Sequence, residues 1–154
     1  RILSAIAIGE QEGATLLVDG RNVEPKDANA EDGCFIRPTV FDDVTEEMTI
    51  ARDEIFGPVM LPRRVDTLDD AIKTNRRSEY ANATAIFTQG GKSAREFRYK
   101  VGVSMIGVNI GVAAPMAFFP FGGTKGSFFG DTKAHGKDSI RFFTDQKVTI
   151  TRWF

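Results

Sequence analysis

A carboxylate and an aromatic ring stand two residues apart in Asp53-Glu54-Ile55-Phe56-Gly57-Pro58. Ionised, Glu54 has two oxygens that can each accept a hydroxyl proton, which suits bidentate capture of a vicinal diol. Phe56 adds a flat face for a ring, and Gly57-Pro58 shapes the loop without acting as a ligand. A second motif, Pro120-Phe121-Gly122-Gly123-Thr124-Lys125, is a Gly-rich turn with a phenylalanine at its mouth. Neither is a complete catalytic apparatus. Together they suggest part of a cofactor- and substrate-binding wall, with the reacting groups supplied from elsewhere.

The other candidate residues carry less. Cys34 is the single cysteine, so an internal disulfide is excluded and a reducing compartment such as the cytoplasm or the mitochondrial matrix is expected. No histidine lies near it in sequence to depress its pKa, so an inert thiol is expected. His135, between Lys133 and Lys137, has no neighbouring Cys or second His, and reads as a solvated residue outside any metal site. Gly122-Gly123-Thr124-Lys125 lacks the Gly-x-x-x-x-Gly-Lys-Ser/Thr spacing of a phosphate loop. The Arg76-Arg77 pair reads as a solvated helix end. A formal net charge of -1 gives no global electrostatic case for nucleic acid or a membrane surface, and no apolar run approaches the ~20 residues of a membrane helix.

These residues need elements to position them, and 154 residues are enough for one domain with a real core. Residues 1–13 read as a helix around Ile2, Leu3 and Ile6, closed by Gly13. That helix has no cap residue or lead-in loop before it, so a chain truncated at its N-terminus is expected. Strands are expected over 14–18 (fully buried), 35–41 (at an edge or bulge because of Pro38), 59–65, 83–88 and 103–108. Residues 21–34 read as a polar surface loop. Helices are expected over 66–78, capped by Asp66 or Thr67, and over 92–100 after the Gly90-Gly91 break. The β-α-β-α-β order argues for an α/β fold, with a parallel or mixed sheet covered by helices. Residues 111–136 show no sustained period and read as a long ordered loop or functional surface. The end of the chain alternates Val148, Ile150 and Arg152 with Thr149, Thr151 and Trp153. This is a strand pattern without a return strand, an edge that a second subunit would cover. The expected division is therefore 1–139 as the body and 140–154 as an oligomerisation tail.

Six ordered motifs resemble the aldehyde dehydrogenase superfamily over nearly the whole chain. They are Gly33-x-Phe-x-x-Pro38-Thr39, Glu54-Ile-Phe-Gly-Pro58, Ala85-Ile-Phe87-Thr88, Gly107-Val-Asn109, Pro120-Phe-Gly-Gly-x-Lys125 and Thr144-x-x-Lys147. They match the portion after that family's catalytic cysteine. Where most of the superfamily continues the late motif as Lys-x-Ser-Gly, this chain reads Lys125-Gly-Ser127-Phe-Phe-Gly-Asp131. With Val148-Thr-Ile-Thr-Arg-Trp153, that departure is similar to the methylmalonate-semialdehyde dehydrogenase branch. Another departure is Tyr80-Ala81, where the family has tyrosine-glycine. The family's Gly-rich dinucleotide-binding fold and Gly-Gln-x-Cys nucleophile motif do not occur in residues 1–154.

The resemblance implies an NAD-dependent, CoA-acylating oxidation of malonate or methylmalonate semialdehyde, with decarboxylation to acetyl- or propionyl-CoA. It implies that Glu54 holds the nicotinamide ribose, that Phe56 lies beside the nicotinamide, and that Phe121 and Asn109 line the aldehyde side. Phe118 and Phe119 would contribute to an apolar funnel. For Asn109 the alternative is a backbone tie at a strand end, and for the Phe cluster a core or an interface. The resemblance also implies a homotetramer, with residues 146–153 in an intersubunit sheet. On this reading the chain has no catalytic residue of its own and is inactive alone.

Overall fold

A computed structural model describes residues 1–23 and 33–154. Most of the surface loop expected over 21–34 thus lies outside the described residues. The chain forms two compact units, Arg1–Val65 and Asp66–Phe154.

In the first unit, helix α1 (Ile2–Gln11) buries Ile6 and Gly9. Gly13 takes the left-handed backbone at φ +94°. Its N–H donates to Glu10 O at 3.1 Å, and Ala14 N–H donates to Gly9 O at 2.9 Å. These are the paired bonds of a Schellman stop, as the glycine suggested. A Cβ at Gly9 would sit 2.8 Å from Ile50 Cδ1 and 3.1 Å from Phe41 Cζ. The bare glycine is what lets α1 close on the sheet.

That sheet is mixed. Strand β1 (Thr15–Val18) pairs antiparallel with β2 (Thr39–Asp42), which pairs parallel with β3 (Val59–Met60). Two expectations change here. β1 is an edge strand, and Leu17 and Val18 are 56% and 50% exposed, so it is not the fully buried strand expected. Of the two places expected for the strand beside Pro38, an edge or a bulge, the edge is not taken: β2 is central and begins one residue after Pro38, while its pairing with β1 shifts register between Leu16 and Val18, as at a bulge. Likewise the strand expected over 59–65 pairs only through Val59 and Met60, ahead of Pro62. Ile6, Ala14, Phe41 and Ile50 form the core. Burying a side chain the size of Ile6 or Phe41 stabilises by about 1.5–3 kcal/mol. Between β2 and β3 lies the short helix α2 (Thr49–Arg52), whose N-cap residue Met48 offers no side-chain bond. The Glu12 carboxylate serves instead, taking Thr49 N–H at 2.7 Å and Thr49 Oγ1 at 2.6 Å.

In the second unit, α3 (Leu68–Arg77) starts at Thr67, whose Oγ1 accepts Asp70 N–H at 3.1 Å. Strand β5 (Ala83–Ile86), helix α4 (Gly91–Lys100) and strand β6 (Met105–Val108) form the expected β-α-β unit, with β5 and β6 parallel. Ile72 from α3 packs with Phe97 and Val101 over Ile86 and Ile106. Three elements had no local signal: β4 (Tyr80–Ala81) and β7 (Thr124–Lys125), which pair antiparallel, and α5 (Lys137–Phe142). Beyond α5 the chain pairs with no strand among the described residues. Val148, Ile150 and Trp153 are 87%, 94% and 90% exposed.

Candidate functional site

Glu54 and Phe56 share one loop of the first unit, between α2 and β3. Its lower end is fixed by Asp53 N–H to Thr49 O at 2.9 Å, and its upper end by Thr39 N–H to Pro58 O at 2.8 Å. Arg1 grips the middle: its guanidinium donates to Glu54 O at 3.0 Å and to Phe56 O at 3.4 Å. Gly57 sits so close to α1 that a Cβ would be 2.6 Å from Ile2 Cδ1. The backbone of this loop is thus heavily committed, and Ile55 packs against the core, while the side chains of Glu54 and Phe56 face outward. Glu54 is exposed, and its carboxylate takes no bond from a described residue. Phe56 is 79% exposed and adopts φ +50°, a left-handed conformation that bulky residues rarely take. An exposed carboxylate that takes no bond from a described residue thus stands two residues from an exposed ring, on a fixed backbone. That pair can bind a ligand carrying hydroxyls and a planar group.

Asn109 and Phe121 lie in the second unit, and each is anchored separately. Asn109 follows β6 at φ +57°. Its Oδ1 accepts Thr88 N–H at 2.8 Å and its Nδ2 donates to Thr88 O at 3.1 Å. The backbone tie at a strand end is therefore made, with one Nδ2 hydrogen left over. Phe121 is half-buried, its ring 5.5 Å from that of His135. His135 itself is exposed, as is Cys34.

The segment carrying Phe121 is stitched to 134–136, through Ala134 N–H to Phe121 O at 2.9 Å and Gly136 N–H to Ala117 O at 3.1 Å. Gly136 has φ +65° and would put a Cβ 2.6 Å from Phe118 O, so this close approach requires glycine. The rings of Phe118 and Phe119 meet at a 47° tilt with centroids 4.7 Å apart, and the residues remain 66% and 55% exposed.

Two lysines that sequence reasoning left without a role hold this turn. Lys125 Nζ donates to Arg76 O at 2.6 Å and Ser78 O at 2.8 Å, closing the C-terminal end of α3. Its amine is engaged by carbonyls, in keeping with the absence of a phosphate-loop spacing. Lys133 Nζ donates to Gly123 O at 2.8 Å and lies 4.9 Å from the Phe128 ring centroid. Nothing local in the sequence signals either tie. A cavity of about 370 Å³ opens nearby among Phe128, Phe129, Phe142, Phe143, Lys133 and Ser139. Among the described residues no group of His, Cys, Asp or Glu could hold a metal ion. No helix among them is long and apolar enough to cross a membrane.

Residues 1–149 match the aldehyde dehydrogenase family. The chain belongs to this family. Among its aldehyde dehydrogenase relatives, malonate-semialdehyde dehydrogenase of Halalkalibacterium halodurans is 50% identical over 148 residues, 96% of this chain and 30% of that protein. A protein of Sinorhizobium meliloti 1021 described as a methylmalonate-semialdehyde dehydrogenase, crystallised with NAD, superposes with a TM-score of 0.92 at 42% identity. That superposition covers 99% of this chain and 31% of the other. Methylmalonate-semialdehyde dehydrogenase of Oceanimonas doudoroffii gives 0.90 at 45% identity, over 99% and 31%. The chain spans under a third of the length of these aldehyde dehydrogenases and aligns to a C-terminal part of them. The resemblance read from the six motifs, including the semialdehyde dehydrogenase branch, is therefore borne out.

Proposed function

We propose that residues 1–154 supply one wall of the nicotinamide site and part of the aldehyde side in an NAD-dependent, CoA-acylating semialdehyde dehydrogenase. The substrate is malonate or methylmalonate semialdehyde, and the products are acetyl- or propionyl-CoA, carbon dioxide and NADH. The observation that carries this reading is the uncommitted Glu54 carboxylate beside the exposed Phe56 ring, in a chain whose relatives include an NAD-bound semialdehyde dehydrogenase.

NAD supplies the hydride acceptor when bound. Glu54 holds the ribose diol through both oxygens, and Phe56 offers its face to the nicotinamide. Phe121 and Asn109 shape the aldehyde side, and apolar Phe118 and Phe119 exclude water from it. The nucleophilic cysteine and the dinucleotide fold come from outside residues 1–154, so these residues alone form no NADH. Residues 146–153, with Val148, Ile150 and Trp153 exposed, form an intersubunit strand of a homotetramer.

In the complete protein carrying this chain, Glu54→Gln leaves one hydroxyl acceptor of two and is expected to raise the KM for NAD roughly tenfold, the scale of one charge-assisted hydrogen bond. An unchanged KM for NAD would remove the ribose role. Following NADH formation with and without CoA tests the acyl acceptor, and equal turnover in both would mean a free-acid product instead.

A further inference from the structure

Helix α1 touches the Glu54 loop and its supporting helix at both ends. At its start, Arg1 donates to Glu54 O and Phe56 O, and Ile2 lies against Gly57. One residue past its end, Glu12 clamps the first residue of α2 through both carboxylate oxygens. α2 is four residues long and has no cap of its own. A helix this short does not hold itself together, because one turn fixes more dihedrals than its hydrogen bonds repay. Its Thr49 N–H would otherwise be one of the four unsatisfied donors at the helix start. The chain then runs from Arg52 through Asp53 directly into Glu54. The position of the Glu54 carboxylate is therefore inherited from α2, and that of α2 from the buried Ile50 side chain together with Glu12, which fixes its first turn.

We infer that α1 is a splint for the cofactor loop and that Glu12 is a positioning residue for NAD, acting through α2 on Glu54 and Phe56. The inference rests on the nicotinamide reading above and adds a residue to it that touches no ligand. Arg1 is the splint's second fastening. It holds backbone carbonyls, so it fixes the loop while leaving both functional side chains free.

The test uses the complete protein carrying this chain. Glu12→Ala is expected to weaken NAD binding roughly fivefold, the effect of losing a helix cap, and to speed deuterium exchange at 53–58. KM for the semialdehyde should not change. Glu12→Gln, which keeps one acceptor oxygen for Thr49, should recover most of the affinity. If Glu12→Ala fails to fold, Thr49→Ala removes one of the two contacts and carries the same readouts. Unchanged exchange at 53–58 would overturn the splint. Faster exchange with undiminished NAD affinity would overturn the positioning role while leaving the nicotinamide site standing. If Glu54→Gln itself leaves NAD binding unaltered, the nicotinamide reading fails and the positioning role falls with it.

Discussion

Replacing Thr39 by valine removes one acceptor and almost nothing else. Thr39 is fully buried, and its Oγ1 takes the Gly20 N–H at 3.1 Å. Gly20 is buried too: a Cβ there would lie 1.9 Å from Arg37 O. There is no room for water to stand in for the hydroxyl. Valine fills the same volume and leaves the Gly20 donor unpaired, which costs about 1–3 kcal/mol. The added methyl group returns at most about 0.8 kcal/mol. With the full return subtracted, the expectation is a loss of about 0.2–2 kcal/mol, read as a fall of up to roughly 1 M in the urea midpoint with an unchanged slope. Thr39→Ser keeps the acceptor, so the Gly20 amide should stay protected from exchange there and lose protection in Thr39→Val. A valine variant as stable as the parent, with Gly20 still protected, would refute the account of why this threonine is buried. The effect also bears on the site, because the backbone of Thr39 fastens Pro58 at the end of the Glu54 loop.

Lys125→Met keeps the aliphatic stem but loses both bonds to the end of α3; the thermal midpoint should fall by about 2–4 °C, and an unmoved midpoint would deny the lysine its capping role. Asp42 is held below the usual carboxylate range, first by the two bonds from Arg64 and then by the Asp43 N–H. A depressed carboxyl contributes stability that is present above its unfolded pKa and lost as pH falls through the folded one. The parent should therefore lose more stability than Arg64→Met between about pH 5 and pH 2. Parallel acid unfolding curves for the two proteins would contradict this.

What the sequence made legible was whatever is written within a few residues. The α3 cap is Thr67 with Asp70 three positions on. The parallel pair β5 and β6 follows from two apolar runs separated by a helix of the right length. The loop pair Glu54 and Phe56 was legible as chemistry because both groups lie on five consecutive residues. What stayed hidden depends on residues far apart. β4 and β7 are two residues each, too short for any period, and their ladder joins Tyr80 to Lys125. α2 is invisible locally because its cap, Glu12, lies 37 residues away. β1 has the composition of a buried strand, yet its outer face is uncovered in this chain, and composition cannot tell which neighbour is present. For Asn109 the sequence offered two roles; the structure shows the backbone tie to Thr88, which is compatible with the proposed place on the aldehyde side.

Phe56 sets durability against use. A phenylalanine in the left-handed region costs on the order of 1–2 kcal/mol that glycine would not incur. Relaxing that strain would also delete the ring. Breeding this protein for heat resistance would therefore favour glycine or asparagine at position 56, while the nicotinamide role proposed above would make selection for turnover restore the aromatic residue. On that proposal, the locus is one where an improvement in robustness is an expected loss of service.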